Sequence, residues 1–398
     1  MKILYVTDVY FPRINGVSTS IDTFRRELRA RGHTVHMIAP DYSAPSDDES
    51  DILRVPARAL PMDPEDRLMR YGWAMRHLER LQAERYDIVH VQTPFVAHYL
   101  GLRLAGKLGV PCVETYHTFF EEYFYHYIPF LPKSWLKAAA RRISRWQGNS
   151  LSGMVVPSRP MLEVLRHYGV KTRAEIIPTG LQPSSFAPGY GLVFRRKYGI
   201  PEQRPVMLFV GRVAHEKNIG FLLQVLDRVR RSVPETLFVI AGEGPALPGL
   251  ESDVARMGLQ GNVRFIGYLD RHTELNSCYS AGDVFVFSSR TETQGLVLLE
   301  AMAQGVPVVS IAEMGTRDVL REGQGVHIAH EEVEDFAGKV LDLFADPEGR
   351  EVLGRLGRSY AQSWSAGSMA ERMLKFYSRV IDDYQEEPLM VRPVRAVR

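Results

Sequence analysis

The chain has 398 residues, of which 49 are basic and 47 acidic, so its formal net charge at pH 7 is only +2. This balance excludes a general attraction to nucleic acid or to an acidic partner, and any basic binding site must therefore be local. The length is too great for one ordinary core and predicts two domains, each with a core of its own.

The start of the chain and the cysteines indicate a compartment. The opening KILYVTD meets Asp8 too early for the apolar region of a signal peptide, and no stretch of about 18 uninterrupted apolar residues follows anywhere. Cys112 and Cys278 lie far apart, which disfavours a disulfide framework or a zinc site. We therefore expect a cytoplasmic protein in a reducing environment.

In the first half of the chain, short apolar runs alternate with segments of helical period. The predicted strands are KILYVTD, TVHMIAP, DIVHVQTP, PCVETYHT and GMVVPS, and the predicted helices run from Val17 to Leu28, from about Phe95 to Leu108 and around residues 133–147. Alternation of this kind is typical of a doubly wound α/β domain with a parallel sheet.

The same pattern starts afresh in the second half. The predicted strands are PVMLFVGR, TLFVIAGEG, NVRFIGYL, DVFVFSS and VPVVSIA, with helices through Phe221 and Val225, up to Met257, and from Gly295. Between the halves, residues 178–191 concentrate Pro, Gly and Ser without apolar periodicity, which predicts a linker. The expected architecture is two doubly wound α/β domains.

In open parallel sheets ligands bind beyond the carboxyl ends of the strands, so residues that follow the predicted strands are candidates for a site. Asn15 and Gly16 allow a tight loop before a helix whose free N–H groups can face an anion, although an ordinary capped turn explains them equally well. Arg212 and Lys217 combine a planar fork with a point charge, which suits a diphosphate, and the alternative is a solvated basic turn. Gly242 permits close approach to a ligand but also makes a turn.

Two glutamates follow the strand DVFVFSS. Glu292 is predicted on the loop after this strand, and Glu300 within the helix that Gly295 begins. Carboxylates there can accept hydrogen bonds from sugar or ribose hydroxyls, while Leu and Val fix the helix by burial. A surface loop acid and an ordinary helix acid are the alternative interpretation.

These stretches carry a resemblance to a known family. GRVAHEKN followed by TETQGLVLLEAMAQGVPVV, with seven residues between the two glutamates, resembles the retaining family 4 glycosyltransferases. The resemblance covers nearly the whole chain and implies the GT-B fold, with two Rossmann-like domains facing across a cleft. It implies an acceptor-side domain at 1–180, a nucleotide-sugar-binding domain at 192–362 and a last helix at 363–386 that returns to the first domain. The tail 387–398 is expected to lack regular structure.

The resemblance also implies roles for individual residues. Arg212 and Lys217 would neutralise the donor diphosphate, Glu300 would bind the nucleotide ribose, and Glu292 would contact the donor sugar near the reacting carbon. The remaining donor contacts are Gly16 and Gly242 as close-approach glycines, Ile266 and Tyr268 near the base, and the backbone N–H groups of Gln294, Gly295 and Leu296. No cofactor or metal is expected, because fixed cations can stabilise the negative charge that grows on the departing diphosphate.

The acceptor side is predicted from residues 114–146. The resemblance puts His117 at the donor sugar and the acceptor, which makes it a catalytic candidate beside Glu292, Arg212 and Lys217, while a structural histidine is the alternative. The dense aromatic cluster that includes Tyr116 and Tyr123 is similar to a segment of bacterial diacylglycerol glucosyltransferases.

A basic amphipathic helix follows this cluster. Trp135, Ala139, Ile143 and Trp146 fall on one helical face, and Lys137, Arg141 and Arg145 fall on another. Such a helix can lie in an anionic membrane surface. The alternative is a domain helix that buries its Trp side against the sheet and exposes its basic side.

The preferred prediction is a peripheral enzyme at the inner face of the cell membrane that transfers glucose from UDP-glucose to diacylglycerol. A second possibility keeps the chemistry but uses GDP-mannose or another nucleotide sugar, with a soluble or polyprenyl-linked acceptor. A third is a nucleotide-sugar epimerase of the same fold, against which the paired glutamates argue. No nucleic-acid partner is expected.

Overall fold

The structure is a computed structural model of the chain. It describes residues 1–13, 16–42, 50–60, 63–117, 133–270, 273–292 and 294–386. The chain divides into two compact units: residues 1–179 together with those from Met369 onward, and residues 180–368.

The first unit is built on a parallel sheet, as its sequence predicts. Its described strands are β1 Lys2–Val6, β2 Thr34–Pro40, β3 Ile52–Val55, β6 Ile88–Val91, β7 Cys112–Thr115, β8 Gly153–Val156 and β9 Ala174–Ile176, hydrogen-bonded in the order β3-β2-β1-β6-β7-β8-β9. Every pair in this order is parallel. The order reverses beside β1, which is typical of a doubly wound sheet.

Apolar cores cover both faces of this sheet. In β1, Ile3 and Tyr5 join one core and Leu4 and Val6 join the other, as the alternation of side chains along a strand requires. The described helices of this unit are α1 Gly16–Ala30, α2 Tyr71–Met75, α3 Leu78–Ala83, α4 Val96–Leu108, α5 Lys133–Asn149 and α6 Arg159–His167.

The last helix, α15 Ala366–Glu386, completes the first unit. It buries one side in the same core as Ile3 and Tyr5, through Met369, Ala370, Met373, Phe376, Tyr377 and Val380. The first unit is therefore assembled from two separate parts of the chain.

An antiparallel hairpin in the first unit was not predicted. β4 Ala57–Leu60 pairs with β5 Asp63–Met69, with Arg58 opposite Leu68. The sequence of β5, DPEDRLM, has acidic residues and a proline, which are depleted in strands. Its strand conformation comes from pairing with β4 and not from local propensity.

The second unit contains the other predicted sheet. Its described strands are β10 Val206–Val210, β11 Leu237–Ala241, β12 Val263–Gly267, β13 Val284–Phe287, β14 Val308–Ser310 and β15 Val326–Ile328, in the order β12-β11-β10-β13-β14-β15 and all parallel. Its described helices are α7 Gly191–Lys197, α8 Ile219–Arg230, α9 Leu247–Arg256, α10 Leu275–Ala281, α11 Leu296–Ala303, α12 Thr316–Val319, α13 Val333–Ala345 and α14 Pro347–Gln362, with short 3-10 turns at Pro183–Phe186 and His215–Lys217. The fold prediction of two parallel α/β sheets is confirmed.

Candidate active site

The strand order of the second unit brings its predicted site loops together. β12, β11, β10 and β13 are consecutive neighbours, so the segments after their carboxyl ends lie along one edge of the sheet. Arg212 and Lys217 follow β10, Tyr268 follows β12, and Glu292 follows β13. Residues that lie far apart in the sequence thus share one edge of the unit.

Lys217 and Glu292 form an ion pair at this edge. The Lys217 Nζ donates to Glu292 Oε2 at 2.7 Å, and both side chains are largely buried. The other carboxylate oxygen, Oε1, accepts from the backbone N–H groups of Gly295 at 3.3 Å and Gln294 at 3.4 Å. Two residues that the sequence predicts for one donor site are therefore in direct contact.

These contacts determine the charge state of Glu292. Burial raises the pKa of its carboxyl, but the charge and hydrogen bond of Lys217, with the N–H groups of Gly295 and Gln294, more than offset this and hold the pKa below its usual range. Glu292 is accordingly an anion at neutral pH. An edge with a lysine and backbone donors, already able to hold one anionic group, has the chemistry needed to bind a phosphate.

Two serines join the loops that carry this pair. The Ser288 Oγ donates to the backbone oxygen of Asn218 at 3.0 Å, and the Ser289 Oγ donates to that of Glu216 at 3.1 Å. Both serines directly follow β13, and both acceptors lie in the turn that contains Lys217. These bonds fix the position of Lys217 relative to Glu292, and the sequence analysis did not identify them.

Glu300 lies inside the second unit. It belongs to α11, and only 6% of its surface is exposed. The Tyr279 hydroxyl of α10 donates to Glu300 Oε2 at 2.8 Å. Glu300 is thus a buried, hydrogen-bonded acid and not a surface acid, and its contact with a ribose stays a prediction.

The remaining donor candidates of the second unit differ in exposure. Arg212 and Tyr268 are exposed, whereas Ile266, Gln294 and Leu296 are half-buried. Gly295 has a positive φ of 68° directly before α11, a conformation that favours glycine. Its backbone conformation turns the chain from the Glu292 loop into the helix that carries Glu300.

Gly242 lies against protein backbone. Its φ is 138°, and a Cβ atom there would approach the Gly211 backbone oxygen to 1.9 Å. Its N–H donates to the Gly267 oxygen at 2.8 Å, so the chain after β11 packs between the carboxyl ends of β10 and β12. Packing alone accounts for a glycine at this position.

His117 follows β7 in the first unit, two residues after the strand ends at Thr115. Its Nε2 atom is buried and has no hydrogen-bond partner within the part of the chain that the structure describes. Burial lowers the pKa of His117 to about 4, so the imidazole is neutral at physiological pH. A neutral imidazole with a buried, unpartnered nitrogen is able to donate to or accept from a ligand hydroxyl.

His117 lies beside further buried polar groups that the sequence analysis did not select. His90 is hydrogen-bonded through Nδ1 to the Tyr377 hydroxyl of α15 and through Nε2 to the Thr115 hydroxyl at 2.7 Å. Burial, with a smaller contribution from His117, lowers the pKa of His90 to about 3. Thr115, the last residue of β7, therefore connects His90 to the strand that His117 follows.

Asp8 was also missed as a site candidate. It accepts from the Thr93 hydroxyl at 2.8 Å and from the Ala97 N–H at 3.0 Å, which ties the end of β1 to the start of α4. Burial raises the pKa of Asp8 to about 7, and these hydrogen bonds oppose the shift. Its position at the carboxyl end of the predicted strand KILYVTD was the available signal.

The basic helix α5 exposes its tryptophans. Trp135 is 70% and Trp146 47% exposed, and Lys137, Arg141 and Arg145 are exposed as well. Among its described residues, those that are fully buried are Ala140, Ser144, Gln147 and Gly148, while Ile143 is half-buried against the core. The alternative in which this helix buries its Trp side is therefore wrong.

The other site candidates of the first unit differ in their position: one is buried, one is exposed, and two lie outside the described residues. Tyr116, predicted for the acceptor and membrane side, is buried, with its hydroxyl 3.1 Å from the Ser144 hydroxyl; it therefore does not lie on the exposed surface, and its contact with an acceptor stays a prediction. Tyr123 lies outside the described residues, as does Asn15. Gly16 begins α1 and is exposed, and apart from its chain neighbours and the backbone of its own helix, no described atom lies within 4 Å of where its Cβ would be. Local packing does not account for a glycine there.

Three further observations concern the described residues as a whole. They contain no group of three or more His, Cys, Asp and Glu side chains arranged to hold a metal ion. Cys112 and Cys278 are both buried free thiols. No helix in the described ranges combines the length and the apolar character that crossing a bilayer requires.

Sequence comparison identifies both halves of the chain. The family model "Glycosyltransferase Family 4" matches residues 14–185, and "Glycosyl transferases group 1" matches residues 193–360. The alpha-monoglucosyldiacylglycerol synthase of Streptococcus pneumoniae is 31% identical over 362 residues, covering 88% of this chain and 80% of that protein. The enzyme of the same name from Acholeplasma laidlawii is 30% identical over 372 residues, covering 90% of this chain and 91% of that protein.

Structural comparison agrees with these matches. The Anabaena protein HepE, solved in complex with UDP, has a TM-score of 0.71 at 15% identity, covering 95% of this chain and 100% of that one. At this identity the likeness shows the fold, which is GT-B. With the sequence matches across both halves, it follows that this chain belongs to the family 4 (group 1) glycosyltransferases.

Proposed function

We propose that this protein transfers glucose from UDP-glucose to the free hydroxyl of 1,2-diacylglycerol, with retention of configuration, at an anionic membrane surface. The observation that carries the lipid acceptor is that α5 exposes two tryptophans on one face and three basic residues on another. The diacylglycerol-linked names of the two sequence relatives support the same acceptor. UDP in the HepE structure supports the nucleotide.

The donor half of the proposal relies on the edge of the second unit. Transfer from a nucleotide sugar leaves growing negative charge on the departing diphosphate, which fixed cations and N–H groups can stabilise. Lys217, Arg212 and the N–H groups of Gln294 and Gly295 are the groups that we assign to this role. In this proposal the protein's own cations do the work, and a metal ion is not required.

The acceptor half relies on α5 and its neighbour α4. Trp146 stacks on Tyr99 of α4 with ring centroids 5.8 Å apart, and both rings are partly exposed. Aromatic rings favour the interfacial layer of a bilayer, and each basic residue near an anionic surface contributes about 1 kcal/mol. We therefore propose that Trp135, Trp146 and Tyr99 insert at the interface while Lys137, Arg141 and Arg145 contact lipid head groups.

The direct test is transfer of label from UDP-glucose into mixed micelles of diacylglycerol and anionic lipid, with GDP-mannose in a parallel reaction. We expect label from UDP-glucose in the organic extract, attached to diacylglycerol by an α-linkage. Label in the organic phase only from GDP-mannose would overturn the donor, and label confined to water-soluble products would overturn the lipid acceptor. Neither of these two results would change the family.

Neutralising Lys137, Arg141 and Arg145 together by glutamine is expected to weaken binding to liposomes that contain anionic lipid. At about 1 kcal/mol for each residue, the loss is expected to reach roughly 10²-fold at low salt. Sedimentation with liposomes measures it, and activity on dispersed acceptor is expected to change less.

A matched control distinguishes the loss of the basic residues of α5 from a change in the total charge of the protein. Arg231, Arg256 and Arg355 are exposed basic residues of the second unit, and replacing them by glutamine changes the total charge equally. That variant is expected to sediment almost as the wild type does. If both triple variants, or neither, lose liposome binding, α5 is not the membrane surface.

A further inference from the structure

A buried hydrogen bond connects α10 to the predicted ribose ligand. The Tyr279 side chain has no exposed surface, and its hydroxyl donates to Glu300 Oε2 at 2.8 Å. Its ring lies 5.7 Å from that of Phe285 in β13, centroid to centroid. The position of the hydroxyl is therefore set by the packing of the sheet, and Tyr279 did not emerge from the sequence analysis.

The surroundings of Glu300 make such a donor necessary. Every other residue of α11 is apolar, so a carboxylate here loses hydration without gaining an obvious advantage in packing. A buried acid is also a poor means of joining two helices, since an apolar pair of similar volume is often as stable or more so. The acid is better explained by a ligand that needs it than by the stability of the unit.

We propose that Tyr279 is a positioning residue, which holds the Glu300 carboxylate in the orientation that accepts hydrogen bonds from the nucleotide ribose. A carboxylate is planar, so fixing Oε2 also fixes the direction of the lone pairs on Oε1. Without the hydroxyl, one of the contacts that restrict the Glu300 side chain is lost, and binding the ribose must fix its orientation more fully. This inference rests on the proposed function, in which Glu300 binds the ribose.

A second contact between the same helices provides the control. The Ser280 hydroxyl donates to Gln304 Oε1 at 3.0 Å, one residue further along α10 and one turn further along α11. The Ser280→Ala variant weakens the attachment of the two helices without touching Glu300. The Tyr279→Phe variant keeps the buried ring and removes only the hydroxyl.

The experiment is calorimetric titration with UDP and with 2′,3′-dideoxyuridine diphosphate, which lacks both ribose hydroxyls. We expect the wild type to bind UDP about tenfold or more tightly than the dideoxy compound, because hydrogen bonds to a buried carboxylate are strong. Tyr279→Phe is expected to reduce the ratio of the two affinities at least threefold. It should do so mainly by weakening the binding of UDP, with little change in the binding of the dideoxy compound. Ser280→Ala is expected to keep the wild-type ratio.

Kinetics and a conservative replacement complete the test. Tyr279→Phe is expected to raise the KM for UDP-glucose and to leave kcat nearly unchanged, since the ribose is remote from the reacting carbon. Incorporation of 4-aminophenylalanine at position 279 restores a donor in the same place and is expected to recover the ratio. If Tyr279→Phe does not fold, as judged by thermal melting, this replacement is compared with 4-methylphenylalanine at the same position.

The possible failures are distinguishable. If Glu300→Gln loses the preference for UDP while Tyr279→Phe retains it, Tyr279 has only a structural role and the inference is wrong. An equal loss in Ser280→Ala would assign the effect to helix packing and would also overturn the inference. A wild type that binds both nucleotides equally would remove the ribose role of Glu300, and one that binds no UDP would remove the proposed donor.

Discussion

Replacing Lys217 by alanine is expected to lower turnover with UDP-glucose by at least tenfold, and by as much as about 10³-fold. Lys217 forms a salt bridge with Glu292 at the sheet edge where the diphosphate is proposed to bind. Loss of one fixed group that stabilises the charge of a transition state costs this range of rate in other enzymes. Steady-state kinetics with saturating acceptor measures the effect.

Glu292→Gln tests the other member of the same ion pair. The Glu292 carboxylate holds Lys217 and two backbone N–H groups, and all three are groups proposed to bind phosphate. Removing its charge is therefore expected to strengthen UDP binding several-fold while turnover falls at least tenfold, because the contact with the donor sugar is lost. Opposite changes in affinity and turnover are not expected from general damage to the fold.

Lys197→Ala is the matched control for Lys217→Ala. Lys197 also forms an ion pair in the second unit, with Glu274, but it is more exposed and lies on α7. Exposed pairs contribute little, so this variant is expected to have nearly wild-type rates. Near-normal rates in Lys217→Ala and Glu292→Gln would contradict the site assignment.

Gly242→Ala is expected to destabilise the second unit by roughly 3 kcal/mol or more. The φ of 138° is one that alanine rarely adopts, and its Cβ would meet the Gly211 backbone oxygen at 1.9 Å. Backbone in the middle of a sheet edge cannot yield as a flexible side chain would. Urea unfolding followed by circular dichroism measures the loss of stability.

Gly220→Ala is the corresponding control. Gly220 lies within α8, and no described atom outside its own helix backbone lies within 4 Å of the added methyl group. Alanine is favoured over glycine in a helix by about 1 kcal/mol, so this variant is expected to be as stable as the wild type or slightly more stable. Equal stability of the two variants would show that the close approach at Gly242 is easily relieved.

The sequence predicted the fold well because the evidence for parallel strands is local. Each central strand is an apolar run that ends at a glycine or a polar loop, and the structure has those strands where the runs occur. The β4 and β5 hairpin was missed for the opposite reason. DPEDRLM has neither the composition nor the alternation of a strand, and its conformation depends on a partner.

The candidate site also contains residues that the local sequence identifies and residues that only the tertiary packing identifies. Glu292 and Lys217 could be selected from the sequence because each follows a predicted strand, where ligands bind in such sheets. Tyr279 could not, because it lies 21 residues from Glu300 in the sequence, and only the packing of two helices brings them together. Periodicity likewise separated two faces of α5, but only the buried Ala140 and Ser144 identify which side the protein covers.

The return of α15 to the first unit has a consequence for how the chain is made. Residues from Met369 onward leave the ribosome after residues 180–368, yet Met373, Phe376 and Tyr377 belong to the same core as Ile3 and Tyr5 of β1. Residues 180–368 form one continuous stretch, so the second unit has all its residues before the first unit does. During synthesis the sheet of the first unit therefore has one apolar face incompletely covered, and a chain stopped short of Met369 would never cover it.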